Sequence, residues 1–258
     1  MTLEKNTPPI IRLKNVNKTF SKNHVLRGIT LDVYPGESFL IIGGSGSGKS
    51  VLLKCILGLI EPDTGSEIEI AGVDVLNASA SEVEHARRKV SMLFQGNALF
   101  DSLPVWENIC FLLLQTGKLN RQEAYDMALK ILPTVGLRKE VAALSPSELS
   151  GGMQRRVALA RAISSTPEII FFDEPTTGLD PIMASVIDDL IVKNVKELGA
   201  TAVSITHDMA SARGIADRIA MLYKGELIWV GSKDELDHTD NLYVAQFIKG
   251  LSDGPIKI

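Results

Sequence analysis

The chain has 258 residues, 45% hydrophobic and 22% charged, an ordinary globular composition with enough apolar material for one large core or two smaller lobes. Its 27 Lys and Arg against 31 Asp and Glu leave a net charge of −4, which argues against a broad basic face and against nucleic acid as a partner. No run approaches the roughly 20 apolar residues that cross a bilayer, since 51–60 is interrupted by Lys54 and 109–114 is too short.

The opening Met1-Thr2-Leu3-Glu4-Lys5-Asn6 sets acidic and polar residues where a secretory signal needs a basic start and an apolar run, so the chain reads as cytosolic. Strands come next. Residues 11–16 and 29–33 place apolar or β-branched side chains at alternate positions, Tyr34-Pro35-Gly36 breaks the chain, and 38–42 is apolar enough for a central strand. A glycine loop, 43–50, then leads into Val51, Leu52, Leu53, Ile56 and Leu57, an apolar stripe on a helix that ends near Gly58. Cys55 and Cys110 lie in apolar surroundings without a Cys-x-x-Cys pair and read as buried thiols.

The middle of the chain, about 97–162, reads as a helical lobe inserted into an α/β core. Within it, 121–135 carries Ala124, Met127, Ala128, Ile131, Leu132 and Val135 at helical spacing, and Pro133 is expected to kink or shorten that helix. Buried runs at 168–172 and 201–205, separated by a helix through Val186, Ile187, Leu190, Ile191 and Asn194, imply a parallel sheet covered by helices. Lys224-Gly225 between 218–223 and 226–230 predicts a hairpin, and a polar, partly helical tail follows Gly231. The core lobe is expected over about 10–96 and 163–230, with the tail over 231–258.

Chemistry concentrates at three places. Gly43-Gly44-Ser45-Gly46-Ser47-Gly48-Lys49-Ser50 fits Gly-x-x-x-x-Gly-Lys-Ser. In such a loop, glycines let backbone amides turn inward around phosphate oxygens, the following helix N-terminus adds partial positive charge, Lys49 reaches the β- and γ-phosphates and Ser50 ligates Mg²⁺. A dinucleotide-binding loop, the main competitor, has no use for Lys-Ser here. Second, the apolar run 169–172 delivers Asp173 and Glu174 at its C-terminal end, suiting Asp173 to hold Mg²⁺ through water and Glu174 to polarise an attacking water. Solvated acids at a strand end are the plainer alternative. Third, Ser150-Gly151-Gly152-Met153-Gln154 opens a helix with Val157, Leu159, Ala160 and Ile163 on its stripe, a second anion-binding helix start.

In this order the three segments resemble the ATP-binding-cassette ATPases, whose signature Leu-Ser-Gly-Gly-Gln stands here as Leu149-Ser150-Gly151-Gly152-Met153. The resemblance spans about residues 10–230 and implies an α/β P-loop NTPase (RecA-like) fold with a parallel-sheet core, an antiparallel β portion and an inserted helical subdomain. It also implies an ATPase with ATP and Mg²⁺ as cofactors. It takes 43–50 with Val51, together with Ser150, Gly151 and Gly152, as nucleotide-binding. Gln95 becomes the loop residue that senses Mg²⁺ and the attacking water, His207 the switch histidine at the γ-phosphate, Asp180 the loop that meets the opposite subunit, and Phe20 the ring that stacks on adenine. Met153 departs from the family's glutamine, without an expected loss of hydrolysis.

Two cassettes of this family bind head to tail, each ATP lying between the phosphate loop of one and the Ser-Gly-Gly helix of the other. A second copy of the chain is therefore an expected partner, as is an integral membrane permease. Residues 95–103, the methionine of the signature and the ending 250–255 further resemble the Mla-type ATPases. That resemblance implies phospholipid as the transported substrate, a lipid-binding partner with a mammalian-cell-entry domain, and a peripheral place on the cytoplasmic face of a bacterial inner membrane. An amino-acid or ion importer is the rival within transport. A soluble cassette ATPase of translation or DNA maintenance is the rival outside it, lacking here the tandem cassettes or long coiled coil that those proteins carry. By default Tyr243, Val244, Phe247 and Ile248 pack on their own core, with the final residues expected to reach a neighbouring subunit.

Overall fold

The computed structural model describes residues 7–257. The opening six residues, read above as unlike a secretory signal, and Ile258 lie outside the described residues. In chain order the elements are β1 (Ile11–Phe20), β2 (Asn23–Val33), β3 (Ser38–Ile42), α1 (Lys49–Ile56), β4 (Glu67–Ile70), β5 (Val73–Asp74), α2 (Ala80–Arg87), β6 (Val90–Leu93), α3 (Val105–Gln115), α4 (Arg121–Ile131), α5 (Gly151–Ser164), β7 (Ile169–Asp173), α6 (Pro181–Leu198), β8 (Thr201–Thr206), α7 (Met209–Ile215), β9 (Arg218–Tyr223), β10 (Glu226–Ser232), α8 (Lys233–Leu236) and α9 (Leu242–Lys249). They fall into two compact units, one made of the chain through Lys89 and from Val203 onward, the other of Val90–Ala202.

The first unit contains an antiparallel sheet in the order β2-β1-β4-β5. Strand β1 is longer than the six residues its alternation suggested, because Asn15 takes a left-handed φ of 49° and shifts the register between Leu13 and Val16. The bulge re-aims Val16 into the core, where both Leu13 and Val16 are buried. In the same unit β9 pairs antiparallel with β10 and parallel with β3, and β8 lies on the other side of β3. The Lys224-Gly225 turn is the expected hairpin.

In the second unit β6 and β7 pair in parallel. Helices α3, α4, α5 and α6 enclose a core that includes Leu93, Ile109, Val157, Phe172 and Ile187. Helix α4 begins with a reciprocal capping box between Asn120 and Glu123 and stops at Ile131. The residues around Pro133 continue as a 3-10 turn, Leu132–Val135, which Gly136 ends at φ 70°. Proline removes the amide that α-helical bonding needs, so the expected helix is shortened rather than kinked. Fold class is as anticipated: α/β, with a parallel-sheet portion, an antiparallel portion and an inserted helical segment.

Cys55 and Cys110 are both buried, and burial pushes each thiol up to about 11. Neither is a nucleophile at neutral pH. Among the described residues no helix is long and apolar enough to cross a membrane.

Candidate nucleotide-binding site

In the first unit, β3 ends at Ile42 and the glycine loop begins at once, so a fully buried strand aims the loop. Gly48 precedes α1 at φ 107°, a conformation open to glycine, and no side chain caps the helix. Lys49 is 6% exposed and its ammonium donates to the carbonyl oxygens of Gly43 at 2.7 Å and Gly44 at 3.0 Å, folding the loop over its own lysine. The buried Ser47 hydroxyl has no hydrogen-bond partner, whereas Ser50 is exposed. A Cβ at Gly43 would come within 2.3 Å of the Leu222 carbonyl oxygen, so only glycine passes there. Uncapped amides, a loop-embedded ammonium and an unpartnered buried hydroxyl make a cradle suited to phosphate oxygens.

The β9–β10 hairpin supports this loop, a role that its sequence, read only as a turn, did not disclose. The Gly225 amide donates to the Ser47 carbonyl at 3.1 Å, and the Arg27 amide donates to the Gly225 carbonyl at 2.9 Å. Gly225 has φ 84°, and a Cβ on it would lie 2.3 Å from the Val25 oxygen. Phe20 ends β1, is 42% exposed and has the Lys18 ammonium 5.3 Å from its ring centroid. One ring face is thereby already matched with a cation, and the exposed ring area is what a base could cover. His207 follows β8 directly and is exposed, and Asp208 beside it caps α7 by accepting from the Ala210 amide at 2.8 Å.

In the second unit, β7 carries Asp173 and the adjoining Glu174 out of a buried strand, both half-buried. Glu174 takes φ 48°, an uncommon left-handed conformation for a residue with a side chain. Its Oε2 accepts from the Thr177 hydroxyl at 2.9 Å and from the Gln95 amide Nε2 at 3.4 Å. Two residues 79 positions apart, singled out separately in the sequence, therefore meet here.

Ser150 caps α5, its hydroxyl oxygen accepting from the Met153 amide at 3.3 Å, and both Ser150 and Gly151 face solvent. Nothing lies within 4 Å of a Cβ placed on Gly151, while one on Gly152 would meet the end of the Met183 side chain at 2.6 Å. Gly151 thus leaves open room at the helix start. Asp180 caps α6, its Oδ1 accepting from the amides of Ile182 at 3.1 Å and Met183 at 3.0 Å.

Side chains also hold the segment after Gln95, and the sequence reading passed over them. Arg155 of α5 is 4% exposed and donates to the carbonyls of Phe94 at 3.0 Å and Gln95 at 2.8 Å. Arg161 donates to Ala98 at 2.7 Å and Asn97 at 2.8 Å. Burial holds both guanidinium groups below their ordinary pKa. Asn108 of α3 is fully buried, accepting from the Phe100 amide at 2.7 Å and donating to the carbonyls of Phe100 at 3.0 Å and Leu103 at 2.9 Å. Asn108→Ala leaves those main-chain groups without partners, so stability should fall by roughly 2–3 kcal/mol, a drop in Tm of about 5–10 °C. Thermal unfolding followed by circular dichroism checks it, and a shift below about 2 °C would mean that water takes over from the amide.

The C-terminal segment folds back on its own unit. Val244 is buried in a cluster with Leu40, Ile42, Ile219 and Met221, and Tyr243, Phe247, Ile248 and Ile256 pack against it. The buried Gln246 amide accepts from the Ile256 amide at 2.7 Å and donates to the Leu251 carbonyl at 3.1 Å. Through Ile256, the described tail packs on its own core, as its apolar spacing suggested.

Residues 26–177 match the family profile described as ABC transporter. The chain is 39% identical over 248 residues to the intermembrane phospholipid transport system ATP-binding protein MlaF of Haemophilus influenzae, covering 96% of this chain and 93% of that protein. It is 37% identical to the L-cystine import ATP-binding protein TcyN of Bacillus subtilis, covering 94% of each chain. Among solved structures, a dimeric ATP-binding cassette in a post-hydrolysis state, bound to ADP and Pi, superposes with a TM-score of 0.78 at 35% identity, over 86% of this chain and 98% of that one. With the phosphate-loop geometry and the carboxylate-bearing strand already in place, these likenesses show that the chain belongs to the ABC transporter family, as one of its ATP-hydrolysing cassettes.

Proposed function

We propose that the chain powers the movement of phospholipid between the inner and outer membranes of a bacterium, binding ATP as a homodimer beneath an integral membrane permease, on the cytoplasmic face of the inner membrane. The observation that carries the lipid reading is the match to a phospholipid-transport cassette over 96% of this chain, together with the methionine of Leu149-Ser150-Gly151-Gly152-Met153 and the segment 95–103. Lys49 and the loop amides are proposed to hold the β- and γ-phosphates, and Phe20 to stack on adenine. Ser50, Asp173 and Gln95 are proposed to hold Mg²⁺, which would neutralise charge developing on the transferred phosphoryl group. Glu174 takes a proton from the attacking water, His207 contacts the γ-phosphate, and Asp180 lies at the meeting of subunits. Ser150, Gly151 and Gly152 face the nucleotide of the second copy, for which the exposure of Ser150 and Gly151 leaves room.

A second reading, import of an amino acid, draws on the cystine-import relative at 37% identity. The two separate by partner. Purification of the tagged chain from its own membranes is expected to bring down a permease, a protein with a mammalian-cell-entry domain, and phospholipid. Recovery of a soluble amino-acid-binding protein in its place overturns the lipid reading.

A further inference from the structure

The second unit contains a buried cation that the family pattern leaves unassigned. Arg155 stands five residues after Ser150 on the same helix, about 7.5 Å along its axis. Besides the carbonyls of Phe94 and Gln95, its guanidinium reaches the Thr177 carbonyl at 3.4 Å. Those oxygens belong to two segments distant in sequence, the loop bearing Gln95 and the turn in which the Thr177 hydroxyl holds Glu174. No carboxylate pairs with Arg155 among the described residues, so main-chain oxygens alone meet its charge. A planar fork of five donors can hold several acceptors in fixed directions, which a lysine ammonium cannot do as well. Arg161, further along α5, grips Asn97 and Ala98, both in left-handed backbone with φ of 60° and 51°. One helix thus anchors the loop on both sides of Gln95.

We propose that Arg155 is a positioning residue that sets Gln95 against Glu174 and links the Ser150 turn of α5 to the hydrolytic groups of the same chain. The inference rests on the roles proposed above for Gln95, Glu174 and Ser150. A displacement of the α5 start, when it meets the second copy's nucleotide, is carried along a rigid helix into the carbonyls of both segments. The groups that orient water then move together. Arg155 touches no reacting atom, and its effect passes through Gln95.

A double-mutant cycle on the full-length chain tests this, with ATP turnover measured across ATP concentrations and binding of a non-hydrolysable ATP analogue measured alongside. Arg155→Met is expected to lower kcat about 10- to 100-fold while the analogue's Kd stays within about twofold. Arg155→Lys should recover part of the loss. In a Gln95→Ala background, Arg155→Met should change kcat by less than about twofold, because both variants remove one alignment. Losses that multiply, a parallel loss of analogue affinity, or an unchanged kcat in Arg155→Met each overturn the inference while leaving the role of Gln95 standing. Full turnover by Gln95→Ala alone overturns that role, and the inference falls with it. Should Arg155→Met not fold, the same cycle is read with Arg155→Lys under the same criterion of non-additivity.

Discussion

Glu174→Gln is expected to bind ATP with nearly unchanged affinity while turning it over about 10²- to 10⁴-fold more slowly, the range that a positioned general base contributes. The substitution is close to isosteric, and its side-chain oxygen can still accept from the Thr177 hydroxyl that now lies 2.9 Å from Oε2. The left-handed backbone at φ 48° is unaltered, so the loop keeps its course. What disappears is the ability to take a proton. If closure of two copies follows ATP binding and opening follows hydrolysis, the variant should accumulate as a nucleotide-loaded dimer, visible as an ATP-dependent shift in size-exclusion chromatography with light scattering. Phosphate release within about threefold of the unaltered chain would remove Glu174 from its role and move the search for the base to another group.

The parts of the site legible in the sequence were those whose chemistry is local. A glycine loop ending in Lys49-Ser50, a strand ending in Asp173-Glu174 and a serine followed by two glycines each carry their meaning within a few neighbouring positions, because one strand end or helix start does the work. Arg155, Asn108 and Gly225 escaped notice for the opposite reason. Arg155 bonds main-chain oxygens 60 and 61 positions away, and such oxygens belong to every residue type, so the partner leaves no mark in the sequence. Gly225 sits at a hairpin turn, where glycine already has a local explanation, and only its contact with the Ser47 carbonyl reveals the second use. Strands β4 and β5, of four and two residues, are too short to establish a period. Helix α2 buries only Ala86 and is marked mainly by the Ser79 and Glu82 capping box, a signal of where a helix starts rather than of a core-facing stripe.

Lys49→Ala should have the largest effect on binding, because the ammonium holds the loop and is the group proposed to meet the phosphates. At 6% exposure its charge is little screened by solvent, and a unit charge about 4 Å from a phosphate oxygen is worth up to roughly 4 kcal/mol at an effective dielectric constant near 20. Part of that offsets the desolvation of the ion, so a loss of about 10²- to 10³-fold in ATP affinity is the expected result, with turnover at saturating ATP also reduced. Alanine further removes both donors to the carbonyls of Gly43 and Gly44. The fold should survive with a small change in Tm, and the loss should appear in binding. A nucleotide titration of the folded variant separates the outcomes. Retained affinity would mean that the loop amides and the start of α1 hold the phosphates unaided, with Lys49 serving only as an internal brace for the loop.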